Sequence, residues 1–257
     1  RMDGIIDRIA PFVETADSVY LEATDAEMKQ LQADMTRRPE LIFIDPGAPT
    51  LPERLEDSEW QSLKDALQAR GIPAFMASKF QAWYIVVLLG VPPCAMTDLA
   101  LGAEGLDKLV TKRAIAAGVS VLPLEPYDTL FRVFDELKKE DELDLIRAAI
   151  ATAGQAEDMF STMTEAYFAE DHRLIWEFAR VAARDTPGLT PEKADADFAL
   201  MEDLLLVRRN HDWMNVILPA AEGKRIAVAV GAAHLSGKDG VLNLLAQQGY
   251  TLEPAPF

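Results

Sequence analysis

The chain has 257 residues, of which 49% are hydrophobic, enough to bury one large core without disulfide or metal staples. Its 25 Lys and Arg against 42 Asp and Glu give a net charge of -17, which opposes nucleic acid or any other polyphosphate partner. One cysteine, Cys94, excludes an internal disulfide and a cysteine-built zinc site.

From the start of the chain, Ile5, Ile6, Ile9, Phe12 and Val13 recur at helical spacing, and "SVYLEA" follows as a short strand ending in Glu22. Arg1 stands where a Met would open a complete chain, and no charged-then-apolar leader is visible, so the chain reads as truncated or processed. A proline-broken stretch comes next, with a short apolar strand expected from Leu41 to Ile44. A helix from about Glu56 to Arg70 is closed by Gly71. The run "AWYIVVLLGV", Ala82 to Val91, is apolar nearly all round and reads as a buried helix. It is half of the roughly 20 residues a membrane-spanning helix needs, so no transmembrane segment is expected. Another helix ends at Gly118, and "VSVLPLE" is a second strand that again ends in an acid, Glu125.

From Tyr127 to Thr186 the pattern is helical almost throughout, with acidic runs that read as solvated faces. "DTPGLTPEKAD" reads as a loop, and Asp195 to Ala221 as one long helix. Lys224 to Val230 is a third strand, leading through Gly231 to His234 and a last helix. The expected fold class is therefore α/β: a central mixed or mostly parallel sheet flanked by helices, with a helical cap inserted mid-chain. One domain spans 1-257, its core formed by about 1-125 and 197-257 and its insertion by about 126-196. In such sheets ligands bind outside the carboxyl ends of the strands, where Glu22, Glu125 and His234 all fall.

His234 sits on the tight turn of "VGAAHLSGKDG", a position that suits a metal ligand or a general base. A histidine satisfied by a backbone carbonyl fits the same spacing equally well. Arg209 follows Leu205 by four residues on an apolar helix face, so its guanidinium needs a carboxylate such as Glu22 or a substrate oxyanion. An arginine with a packed stem and a solvated head remains the alternative there. Asn210 adjoins the same stripe, while His172 and His211 read as surface residues. The chain carries no HExxH, P-loop, GxGxxG or GxSxG motif.

The block formed by "RN", a following aromatic, an apolar strand and "VGAAHLSGKDGVLNLLAQQGY" resembles the TraB/GumN family, relatives of the Tiki metalloproteases. "SVYLEA" and "VLPLE" fall in the order that family shows. The resemblance implies an erythromycin-esterase and ChaN-like fold, with a site made of two GxxH motifs, a strand-end glutamate and an Arg-Asn pair. On this chain those would be His234 as the second GxxH histidine, Glu22, and Arg209 with Asn210; Glu125 matches the "LE" element. The first GxxH, which the family places before the helix near Asp3, is absent from this sequence.

The resemblance implies a Tiki-like, metal-dependent peptidase in which His234, Glu22 and the histidine of the missing upstream GxxH hold a divalent ion, manganese or cobalt rather than zinc, and an exported, periplasmic location. Two ligands alone make a weak shell. The alternatives are a metal-independent hydrolase with Glu22 and His234 as an acid/base pair, acting on a peptide or small-molecule substrate, and a non-catalytic protein that holds peptide, polysaccharide or haem.

Overall fold

The computed structural model describes residues 2–185 and 189–255 and is mostly helical around a small parallel sheet, so the chain is roughly α/β. Three strands make that sheet among the described residues: β1 (Ser18–Leu21), β2 (Ser120–Pro123) and β3 (Ile226–Ala229), in the order β2-β1-β3. Both pairings are parallel, with Leu21 opposite Pro123 on one side and Ala229 on the other. All three strands therefore end at one edge.

Side chains alternate across the pleat, and each face has its own helices. Val19 and Leu21, with Val121, Ala227 and Ala229, pack with Ile6, Val13, Val110 and Ala114 of the helices Met2–Glu14 and Leu106–Ala116. Tyr20, Ile226 and Val228 join Trp213, Met214 and Ile217 of the helix Arg208–Ala221, together with Val241 and Leu244 of the helix Val241–Gln247. Elsewhere, Leu63, Leu67, Ile85, Leu89 and Ile146 form a separate apolar cluster that joins the helices Asp57–Gln68, Ala82–Gly90 and Lys139–Thr152. Arg70, 6% exposed, ties two of these helices together by donating to the carbonyls of Ala66, Leu89 and Val91 at 2.7–2.8 Å.

Several elements differ from their sequence reading. Leu41–Ile44 is not a strand: Pro39–Leu41 makes one 3-10 turn, and Phe43 forms a lone antiparallel bridge to Phe80. Four apolar residues hemmed by Pro39 and Pro46 cannot extend a ladder. The expected loop after Asp185 is partly helix, because Thr190 caps Lys193 N–H and Pro191 takes the first position of the helix Pro191–Glu202; residues 186–188 of that loop lie outside the described residues. The Ala82–Gly90 helix is not buried all round, since Val87 is 46% exposed. The expected long helix, Asp195 to Ala221, is interrupted by a π-helical turn at Asp203–Val207. No single helix among the described residues is long and apolar enough to cross a membrane.

Candidate functional site

The polar groups at the C-terminal edge of the sheet arise from four short segments. Glu22 is the residue after β1, and Glu125 stands two residues past β2. Gly231 stands two residues past β3 and opens the single turn Ala232–His234. Arg209 and Asn210 lie in the first turn of the helix Arg208–Ala221, immediately after the π-helical turn, a departure from α geometry often found at functional sites.

Arg209, 8% exposed, is the hub. Its Nε and Nη2 grip Glu125 in a two-pronged pair at 2.9 and 2.7 Å, and Nη2 also donates to Glu22 Oε2 at 2.7 Å. Nη1 donates to the Leu205 carbonyl at 2.9 Å and to His234 Nε2 at 3.3 Å. A guanidinium has five N–H donors, and here all five have acceptors inside the protein. Burial alone would lower the Arg209 pKa, but Glu125 and then Glu22 overcome that and raise it. Glu125, with a side chain only 12% exposed, also accepts from Trp213 Nε1 at 2.9 Å. The Trp213 ring lies 5.1 Å below the Arg209 guanidinium carbon and 4.4 Å from the His234 ring.

His234 is buried and held from behind. Its Nδ1 lies 2.6 Å from Asn210 Oδ1, and since an amide oxygen only accepts, Nδ1 carries the proton and Nε2 the lone pair. Asn210 is fixed in turn by Nδ2, which donates to the Asp239 carbonyl at 2.8 Å. Burial pushes the His234 pKa down to about 4; Arg209 adds to the shift and Glu22 opposes it, so the ring is neutral at pH 7. Glu22 Oε1, 3.9 Å from His234 Nε2, accepts the Gly231 N–H at 2.6 Å. A Cβ on residue 231 would come within 3.2 Å of that oxygen, so any larger residue there would push the carboxylate by a few tenths of an ångström. Two carboxylates, one guanidinium and a neutral imidazole leave the assembly with one net negative charge, and Glu22, 30% exposed, is its most open member.

Residues 1–254 match the sequence profile of the TraB/PrgY/gumN family, essentially the whole chain. The chain belongs to the TraB/PrgY/gumN family. No curated protein and no solved structure matches it significantly. In this TraB-family chain the five singled-out residues, Glu22, Glu125, Arg209, Asn210 and His234, form one connected network. Arg209 pairs with Glu22, as one of the two sequence readings had it, and has no N–H left for a substrate oxyanion. His172 and His211 lie outside this network: His211 is exposed, with Nε2 2.9 Å from Asp239 Oδ1, whereas His172, expected on the surface, is half-buried, with Nδ1 3.0 Å from the Glu170 carbonyl.

A divalent ion does not fit these donors as they stand. Among the described residues no group of three or more His, Cys, Asp or Glu could hold one. The Arg209 cation also occupies the Nε2 lone pair of His234 and an oxygen of Glu22. Sequence reasoning missed Trp213, which follows Arg209 by four residues on the same helix face but reads there only as part of an apolar stripe. It also missed the groove beside the network. That cavity, 810 Å³, is walled by Ile5, Ile9, Leu106, Tyr167, Phe168 and Leu235 and touches Ala232, next to the Gly231 that holds Glu22.

Proposed function

We propose that the protein is a hydrolase of peptide or small-molecule substrates, with Glu22 as the base that activates water. What carries this reading is the position of Glu22: half-open at the carboxyl edge of the sheet, aimed by the Gly231 N–H and Arg209, and next to a groove large enough for a substrate. Arg209, Asn210 and Trp213 act as positioning residues, because their donors are spent within the protein. Glu125 supplies the countercharge that keeps Arg209 in place.

A second reading, a metallohydrolase using manganese or cobalt rather than zinc, draws support from the Asn210–His234 contact. A metal-binding imidazole needs its far nitrogen locked in this way. The poor fit described above ranks it second. An exported, periplasmic location accompanies both readings, on family likeness alone.

The deciding experiment measures turnover of a fluorogenic peptide library and an aryl-ester panel by wild type and Glu22→Gln, each with chelator and with added Mn or Co. Turnover that survives chelation and drops at least 100-fold in Glu22→Gln supports the first reading. Turnover that needs added metal supports the second. Equal turnover in wild type and Glu22→Gln refutes both, and its absence under every condition favours a protein that binds without cleaving.

A further inference from the structure

The helices Ala156–Phe168 and His172–Arg184 meet in a tight corner, and that corner forms one side of the groove. Two backbone bonds close the first helix: Glu170 N–H donates to the Tyr167 carbonyl at 3.1 Å, and Asp171 N–H to that of Ala166 at 2.9 Å. Helices that end this way turn through a left-handed residue, usually glycine. Here it is Glu170, with φ 62°, the one non-glycine residue of positive φ among the described residues. A side chain costs stability at such a position, and this one reaches another groove residue, Arg8, at 3.9 Å. The Glu170 carbonyl meets His172, whose Nδ1 lies 3.0 Å from it. A carbonyl only accepts, so Nδ1 is the donor and, in the neutral ring, Nε2 carries the lone pair.

Tyr167 and His172 stand on the two sides of this corner; both line the groove and both are half-buried. Among the described residues the Tyr167 hydroxyl has no hydrogen-bond partner, and neither has His172 Nε2. The charged side chains that line the groove are engaged: Arg8 with Glu170, and Glu165 with a partner of its own. What stays open to a ligand is a phenol that donates and an imidazole nitrogen that accepts, amid the apolar side chains of Ile5, Ile9, Leu106, Phe168 and Leu235. The group complementary to that pair is a secondary amide, whose carbonyl accepts one hydrogen bond and whose N–H donates the other. An ester offers the acceptor only. A carboxylate or an ammonium would shed its water against apolar walls whose own charges are already paired.

We infer that the groove binds an uncharged secondary amide next to an apolar body, the Tyr167 hydroxyl donating to its carbonyl and His172 Nε2 accepting from its N–H. For the hydrolase proposed above, Tyr167 and His172 are then specificity-determining residues that favour amides over esters and over ions. A site built to pair a ligand N–H discriminates against the analogue that lacks it, because its own acceptor is left unpaired. The inference rests on the hydrolase reading only for this choice among substrates; the binding stands without turnover.

The test is calorimetric titration at pH 8 of three probes: N-hexylacetamide; heptyl methyl ketone, which has a methylene in place of the amide N–H and keeps the carbonyl; and nonanoate. The proteins are wild type, Tyr167→Phe, His172→Phe and Ala169→Trp. Ala169 is exposed and lines the groove, so a tryptophan there obstructs it without entering the core. His172→Phe should weaken the amide about 5-fold, the worth of one neutral hydrogen bond, and leave the ketone unchanged. Tyr167→Phe should weaken amide and ketone alike, again about 5-fold, because both present the carbonyl. Ala169→Trp should weaken both, and nonanoate should bind wild type more weakly than either. The ketone affinity of His172→Phe also reports that its groove has kept its shape. The inference is overturned if no probe binds, if His172→Phe treats amide and ketone alike, or if Tyr167→Phe binds the ketone as wild type does. It is equally overturned if Ala169→Trp leaves binding intact, or if nonanoate binds most tightly, which would assign the selectivity to Arg8. Because the readout is affinity, it can fail while Glu22-dependent turnover is present, and hold while turnover is absent.

Discussion

Arg209→Met keeps most of the side-chain volume of Arg209 and removes one charge and five donors. Glu125 is then left with Trp213 Nε1 as its partner, at 12% exposure and with no cation, whereas Glu22 keeps the Gly231 N–H and access to solvent. Removing one member of a buried pair costs about 3–5 kcal/mol, chiefly through the charge left behind. Most of that falls on Glu125, because solvent screens the more open Glu22. The double variant Arg209→Met/Glu125→Gln removes the stranded charge and still offers Trp213 an acceptor, so it should regain about half of the loss or more. Arg209→Lys keeps a charge but lacks the planar fork and should fall between wild type and Met. Urea unfolding at pH 7, followed by far-UV circular dichroism and compared at a common slope, measures all four proteins. A double variant no more stable than Arg209→Met, or a single loss under about 1 kcal/mol, refutes the buried-charge account.

Three further outcomes are expected. His234 has a folded pKa near 4, below its unfolded value of 6.5, so its stabilising contribution is complete above pH 6.5 and is lost as pH falls toward 4. The loss is about 3 kcal/mol, and a plot of urea midpoint against pH should be flatter by that amount in His234→Gln. Gly231→Ala brings a Cβ within 3.2 Å of Glu22 Oε1 and 3.6 Å of His234 Cδ2, so it should cost no more than about 2 kcal/mol in stability yet displace Glu22. A crystal structure of this variant with Glu22 unmoved would contradict that. Arg70→Met strips three backbone carbonyls of their donor at two helix ends and should cost about 2–4 kcal/mol; a melting temperature equal to wild type would show the carbonyls satisfied otherwise.

The strands and their acidic ends were legible because period-2 apolar runs bounded by turn residues are local signals, and β1, β2 and β3 fall inside the expected segments. That Glu22, Glu125, Arg209, Asn210 and His234 converge followed from strand direction, together with a family resemblance that marked the letters. Which atoms meet was not legible. The Arg209–Glu125 fork spans 84 positions of sequence, and nothing local tells a guanidinium to take Glu125 two-pronged and Glu22 singly. Leu41–Ile44 failed for a different reason: four apolar residues fit a strand and a turn equally, and the prolines on either side decided. The groove was invisible because its walls come from the helix Met2–Glu14, the Leu106 helix start, the Tyr167–Phe168 corner and Leu235, and only tertiary packing sets them side by side.

The π-helical turn at Asp203–Val207 gives the Arg-Asn pair a meaning that is angular as well as linear. Each residue added to a helix turns everything beyond it by about 100°, and a π turn holds one residue more than an α turn. Shortening Asp203–Val207 by one residue would let a plain α-helix run from Pro191 to Ala221 with its composition nearly unchanged. Because the π turn spreads its extra residue over a single rotation, the shorter α-helix would leave Arg209, Asn210 and Trp213 facing the carboxylates almost as before. A relative could therefore count one residue fewer before the same two letters and still present them to the same edge of the sheet.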